Sequence, residues 1–210
     1  MPNAWIAVDG RRHPLSLVIF DMDGTLTESK LDFAAIKKEA GVPEDAFLLE
    51  YLKEVSPERQ AGIMEVIRRH EVREAHSCEL RPDTEEVLKR LKRQGLKLAI
   101  LTRNCRECSE VVVDRFALSI DAIFAREDAP PKPDPESVLT VCGHCSVPPE
   151  ETLVVGDYVF DVQAGSGAGA LTALLLSERT RELAWEADLR LEALSDLMTL
   201  MEFDGVGSNT

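Results

Sequence analysis

Basic charge is scarce in this sequence. Its 24 Lys and Arg residues stand against 38 Asp and Glu, a formal net charge of −14. A nucleic-acid-binding surface must displace counterions with a basic face, so this composition argues against that class of partner. It works equally against docking on anionic lipid. An anionic substrate would have to be attracted locally, by a metal ion or by a few basic groups in a cleft. Long apolar runs are missing as well, and none approaches the roughly 20 residues of a membrane span. The early run at residues 15–20 follows Arg11 and Arg12. It passes straight into Asp21 and Asp23, with no small-residue cleavage site of a secretory signal. There are five cysteines, an odd number, so a disulfide framework is not expected. Together these features give the expectation of a cytoplasmic protein without membrane or nucleic-acid partners.

What is present is ordinary for a folded domain: 44% hydrophobic and 30% charged residues in a chain of 210. A chain of this size buries about 70% of its unfolded surface and needs no covalent staples. Short β-like runs alternate with helical stretches. Strands are expected at 15–20, 96–102, 120–124, 152–155 and 170–176, and helices at 83–94, 105–117, 135–145 and near 194–202. The tail from Asp204 reads as disordered. Such alternation implies a parallel sheet with right-handed crossovers. Residues 28–82 break the pattern with helical periodicity alone, near 31–40, 44–54 and 57–78. Ser56 before Pro57 reads as a cap followed by a favoured first helical residue. Fifty-five residues of helix after the first strand are too many for a simple crossover. They are expected to form a small helical subdomain, with residues 1–27 and 83–210 making the α/β core.

The strongest chemical signal is Asp21-Met22-Asp23-Gly24-Thr25-Leu26-Thr27 at the carboxyl end of the first strand, where open α/β sheets bind ligands. Residues i and i+2 of an extended segment point the same way. Two carboxylates so placed are costly unless a cation or a reaction uses them, and Gly24 lets the backbone turn away sharply. Thr102-Arg103-Asn104 follows the second strand. Lys132, stiffened by flanking prolines, follows the third. Asp157, with Asp161 four residues on, follows the fourth. Each has a bland reading as a helix cap or a solvated charge, but all four converge on one edge of the sheet.

This ordered set resembles the haloacid dehalogenase superfamily over nearly the whole chain, and the position of the helical insertion is similar to that of its phosphoglycolate phosphatase branch. The resemblance implies a Rossmann-like parallel sheet with the first strand central and a small inserted all-helical cap. It implies that Asp21 is a nucleophile forming an aspartyl-phosphate and Asp23 an acid/base. It also implies a Mg²⁺ ion held by Asp21, the main-chain carbonyl of Asp23 and Asp157. Thr102 and Lys132, with Arg103 and Asn104 beside Thr102, are then expected to bind the phosphoryl group. Gly24 and Asp161 would support them, Asp161 by orienting Lys132 or a metal-bound water. A carboxylate at position 23 marks phosphatases and phosphomutases rather than dehalogenases. Tyr158 stands where a small residue is frequent; it is expected either to line the pocket or to pack, packing being the favoured reading.

The function implied is a Mg²⁺-dependent phosphatase acting on a small phosphorylated metabolite. A phosphomutase of the β-phosphoglucomutase kind shares every motif named. Five cap cations, Lys37, Lys38, Arg59, Arg68 and Arg69, are possible partners for a second anionic group, one or two of them facing the site. The cap is expected to hinge near 28–30 and 80–82, with Ser29 leaving one hinge free. Cys105-Arg106-Glu107-Cys108 and Cys142-Gly143-His144-Cys145 form two CxxC pairs, the mark of a structural zinc and of a third reading, a zinc-stabilised scaffold. With 33 residues between the pairs and both in helical stretches, the cysteines are expected to be buried small hydrophobes. Substrate identity and oligomeric state are open.

Overall fold

The computed structural model describes residues 4–28, 30–177 and 180–203. Ser29, expected to leave a hinge free, and the tail from Asp204, expected to be disordered, lie outside them. The chain opens with two antiparallel strands, β1 (Ala4–Val8) and β2 (Arg11–Leu15), and then enters β3 (Leu17–Phe20). A short β4 (Thr27–Glu28) leads to α1 (Phe33–Ala40), α2 (Leu48–Tyr51) and the long α3 (Pro57–Ser77), and β5 (Glu79–Leu80) returns. There follow α4 (Thr84–Arg93), β6 (Lys97–Leu101), α5 (Arg106–Phe116), β7 (Ala122–Phe124) and α6 (Glu136–Cys145). The chain continues through β8 (Thr152–Gly156), α7 (Val159–Ala168), β9 (Leu171–Leu175) and β10 (Leu189–Leu191) to α8 (Leu197–Leu200) and β11 (Met201–Phe203).

The main sheet has six parallel strands in the order β10-β9-β8-β3-β6-β7. Its strands are apolar on both sides, as a sheet covered on both faces requires. One face packs Val18, Phe20, Leu98, Ile100, Leu153 and Val155 against α4 and α5. The other packs Leu17, Ile19, Ala99, Leu101 and Val154 against α6 and α7. The chain runs from β3 to β6 and β7 on one side and returns to β8 on the other. The β3/β8 boundary is therefore a topological switch point, where a crevice opens at the carboxyl ends of the strands.

Several expectations need correction. The run at 15–20 is divided at Ser16, whose hydroxyl donates to Glu151 at 2.5 Å. Leu15 ends β2, which belongs to a separate three-stranded sheet of order β11-β1-β2. The helix expected near 194–202 is a 3-10 turn and a four-residue helix, and its last residues enter β11. Residues 28–82 are not purely helical, because β4 and β5 pair antiparallel, Thr27 opposite Leu80 and Glu28 opposite Glu79. The helix expected at 44–54 shrinks to α2 and a 3-10 turn.

Within residues 31–67, Ile36, Ala40, Val42, Leu48, Ile63 and Ile67 form a local apolar cluster. The Ser56 hydroxyl accepts from the Arg59 amide at 3.4 Å and opens α3, which has Pro57 in its first turn. The far end of α3 leaves this cluster, and Val72, Ala75 and Cys78 join the main core.

Candidate active site

Four strand ends supply the site. The β3 ladder continues through Asp21, whose amide donates to the Val155 carbonyl at 2.9 Å. The chain then turns: the amides of Leu26 and Thr27 both reach back to the Met22 carbonyl, at 2.9 and 3.0 Å. Gly24 sits at φ +83°, and a Cβ there would lie 2.2 Å from Asp157 Oδ2. Only glycine allows both the turn and the close approach of Asp157. A Cβ on Gly156 would likewise collide with Asp161 Cγ, at 2.1 Å.

Lys132 is buried between two carboxylates. Its Nζ donates to Asp21 Oδ1 at 2.6 Å and to Asp161 Oδ1 at 2.5 Å. The other oxygen of Asp161 accepts from the Tyr158 amide at 3.1 Å, so Asp161 also fixes the start of α7. Asp23 is held on both oxygens, by the Thr27 hydroxyl at 3.1 Å and by Asn104 Nδ2 at 2.5 Å. The Thr102 hydroxyl is buried and accepts from the Asn104 amide at 3.1 Å. The side chains of Asn104 and Arg103 both have protein partners. Asn104 serves Asp23, while the Arg103 guanidinium reaches Glu50 at 2.7 and 2.9 Å and lies 4.9 Å over the Phe160 ring.

Four carboxylates, Asp21, Asp23, Asp157 and Asp161, thus share their surroundings with the single ammonium of Lys132. Burial pushes the Asp21 carboxyl well above its ordinary range; Lys132 opposes the push, and Asp161 and Asp157 add to it. Burial raises Asp23 too, against the hydrogen bonds from Asn104 and Thr27. Burial and the neighbouring Asp161 push Asp157 up to about 7 despite Lys132. For Lys132 burial works the other way, but Asp161 and Asp21 outweigh it and hold the ammonium charged. A surplus of crowded carboxylates is the electrostatic signature of a site completed by a cation. Asp21, Asp157 and Asp161 each offer an oxygen within 4.8 Å of the others, an all-oxygen donor set. That set suits a hard divalent ion such as Mg²⁺. Asp161 joins the cluster while bonded to Lys132; the Asp23 carboxylate lies outside it.

These groups line the floor of a cavity of about 550 Å³ whose roof comes from residues 31–71. The sequence did not point to the second half of this wall. Arg126, just past β7, forms a buried two-point pair with Glu71 of α3 at 2.7 and 2.9 Å. Phe47 meets Phe160 with ring centroids 5.4 Å apart, and Tyr158 stands edge-on to Phe160 at 5.0 Å. Tyr158 is therefore a half-exposed wall residue rather than a packed one. Of the five cap cations, Lys37 alone lines the cavity. Arg59 bonds the Ala40 and Gly41 carbonyls, Arg68 pairs with Glu65 and Glu107, and Arg69 with Glu39.

All five cysteines are buried free thiols. Cys105 and Cys108 pack on one face of the main sheet, Cys142 and Cys145 on the other. The sheet stands between the pairs, so four thiolates cannot converge on one zinc.

Comparison with known proteins agrees with this geometry. A family model described as haloacid dehalogenase-like hydrolase matches residues 15–169. A haloacid dehalogenase-like hydrolase domain-containing protein of Arabidopsis thaliana is 30% identical, over 88% of this chain and 83% of its own. The phosphoglycolate phosphatase of Aquifex aeolicus is 31% identical, over 90% and 97%. The crystal structure of a hydrolase from Pseudomonas syringae superposes with a TM-score of 0.71 at 26% identity, over 88% and 96%.

Proposed function

The chain belongs to the haloacid dehalogenase-like hydrolases, and from that premise we propose that it is a Mg²⁺-dependent phosphatase. It would hydrolyse a small phosphate monoester through a phosphorylated Asp21. One observation carries the reading: Asp21 and Asp23 leave the same strand end with opposite equipment. Asp21 is bonded to the buried ammonium of Lys132, while Asp23 is fixed on both oxygens by the neutral donors Thr27 and Asn104; burial raises both carboxyls.

The division of labour follows from those surroundings. Asp21, ionised when Lys132 and a bound cation together offset its burial, attacks phosphorus and forms the acyl phosphate. Asp23, whose raised pKa lets it hold a proton, delivers that proton to the departing alkoxide. It then takes a proton from the water that attacks the acyl phosphate. The Thr102 hydroxyl and Lys132 hold phosphoryl oxygens, and Asp161 keeps Lys132 in place. Mg²⁺ would be held by Asp21, Asp157 and the Asp23 main-chain carbonyl, and when bound it supplies positive charge where an anionic nucleophile must meet an anionic ester.

Residues 28–82 act in this reading as a cap that admits one water and excludes bulk solvent. Its two connections are tied together by the β4–β5 pair. Water is taken as the phosphoryl acceptor in preference to a second substrate hydroxyl, in keeping with the Aquifex relative's name as a phosphatase. Among the described residues no helix is long and apolar enough to cross a membrane, and five free buried thiols suit a reducing, cytoplasmic setting.

The test is phosphate release from a panel of phosphorylated metabolites with Mg²⁺, together with mass spectrometry of acid-quenched turnover. Asp21→Asn should lose both activity and the phosphorylated peptide. Asp23→Asn should lose about 10²–10⁴ in rate. Wild-type turnover by Asp21→Asn would refute the covalent reading.

A further inference from the structure

We infer that the alcohol released by this site carries a flat apolar ring, aryl or heteroaromatic, and no second anionic group. The inference rests on the phosphatase reading and adds the class of its substrate.

Charge is the first argument. Four basic residues line the cavity: Lys37, Arg103, Arg126 and Lys132. Lys132 belongs to the phosphoryl end, bonded to Asp21 and Asp161. Arg103 is committed to Glu50, and Arg126 to Glu71 in a pair that is nearly sealed from solvent. Lys37 has the uncharged Glu44 carbonyl as its partner, at 2.7 Å on the exposed rim, where a pair with a substrate anion would contribute little. A substrate carboxylate or second phosphate would have to break an arginine pair or settle for Lys37 at the rim. It would also face Asp23, Glu71 and Asp157 across the same cavity. Away from the rim, the cation left for an anionic group is Lys132, beside the proposed Mg²⁺.

The shape of the wall is the second argument. Four large hydrophobic side chains are exposed among the described residues, and three of them, Phe33, Phe47 and Tyr158, line this cavity. They come from three stretches distant in sequence. Exposed apolar surface gathered in one concave place marks a ligand site. Phe47 and Tyr158 flank the Phe160 ring in tilted and edge-on contacts, geometries that a further ring can extend across the wall. The aliphatic Leu31, Ile36, Leu48 and Ile67 close the remainder of the roof.

The experiment uses matched pairs that differ only in phenyl against carboxylate. Phosphate release is measured for benzyl phosphate and phosphoglycolate. Dissociation constants are measured by calorimetry for benzylphosphonate and phosphonoacetate, which cannot be hydrolysed, all with Mg²⁺. Benzyl phosphate should exceed phosphoglycolate in kcat/KM by at least about tenfold, the discrimination that one buried apolar group supplies. Benzylphosphonate should bind more tightly than phosphonoacetate. Phe47→Ala, at an exposed position, should cut kcat/KM for benzyl phosphate by up to about tenfold and narrow the preference. Equal or better use of phosphoglycolate, or tighter binding of phosphonoacetate, overturns the inference and leaves the phosphatase reading standing. Preferential binding of benzylphosphonate with no phosphate released from any ester supports the ligand class and defeats the phosphatase reading instead. Absence of binding by either phosphonate overturns the inference.

Discussion

The pair between Glu71 and Arg126 makes the sharpest demand on stability. Both side chains are nearly buried, at 5% and 9% exposure, and they meet through two hydrogen bonds. Each has a further duty. Glu71 accepts from the Cys105 amide at 3.1 Å, and Arg126 donates to the Arg103 carbonyl at 3.0 Å. Glu71→Ala therefore leaves a guanidinium buried without its counter-charge and a backbone donor without its acceptor. Breaking such a pair from one side costs about 3–5 kcal/mol. Because the pair lines a cavity that water can enter, the lower end, near 3 kcal/mol, is the expected value. At roughly 2–4 °C per kcal/mol for a chain of this length, the melting temperature should fall by about 6–12 °C. Replacing both partners with apolar residues removes the orphaned charge, so Glu71→Leu with Arg126→Met should be more stable than either single variant. Thermal and urea unfolding of wild type, Glu71→Leu, Arg126→Met and the double variant completes the cycle. Single variants within about 1 kcal/mol of wild type, with an additive double variant, would refute the claim that this pair is a buried, coupled link between α3 and the strand ends.

Three further outcomes follow from the site. Gly24→Ala must hold a left-handed backbone and push Asp157 aside, and because misplacing a catalytic group by about 1 Å costs on the order of 10²-fold, steady-state turnover should fall by about that factor. In chelator-treated protein, Asp157 binds its proton up to about 7 when folded against 3.8 ordinarily; the folded state then holds the extra proton, so stability declines as pH rises between these values, by on the order of a few kcal/mol, with the raised Asp21 adding to the decline. Urea midpoints across that range should show the decline and Mg²⁺ should abolish it; a midpoint that rises with pH would contradict the assignment. Elemental analysis of protein purified without chelator should find no stoichiometric zinc, and one zinc per chain lost on mutating Cys142 and Cys145 would overturn the separation of the two cysteine pairs.

The main sheet was legible because its strands are continuous apolar runs that end in a turn or a charge. Residues 97–101, 152–156 and 171–175 fall within a residue or so of their expected places for this reason. The second sheet was not legible. Its β2, Arg11-Arg12-His13-Pro14-Leu15, carries only one buried side chain, although Asp9-Gly10 before it is a hairpin turn signal joining it to β1. The other partner of β1, β11, lies at the far end of the chain, and no local pattern announces a strand made by so distant a pairing. The strands β4 and β5 are two residues each and are defined only by meeting one another.

The floor of the site was legible for a different reason from the roof. Asp21, Asp23, Thr102, Lys132, Asp157 and Asp161 each follow a strand, so the topology alone delivers them to one edge. The roof depends on which face of a helix meets which loop, and spacing does not encode that. Glu71 is the partial exception. On α3 the buried positions are Ile63, Ile67, Glu71 and Ala75, a regular spacing of four that places a carboxylate in the middle of an apolar stripe. A charge on such a stripe either costs several kcal/mol or has a buried partner. The stripe thus implies an Arg or Lys waiting on the surface that α3 covers, and Arg126 is that residue. What the spacing could not tell is where the partner lies in the chain, 55 residues away. Nor could it tell that pairing there would use up a cation in the wall of the cavity.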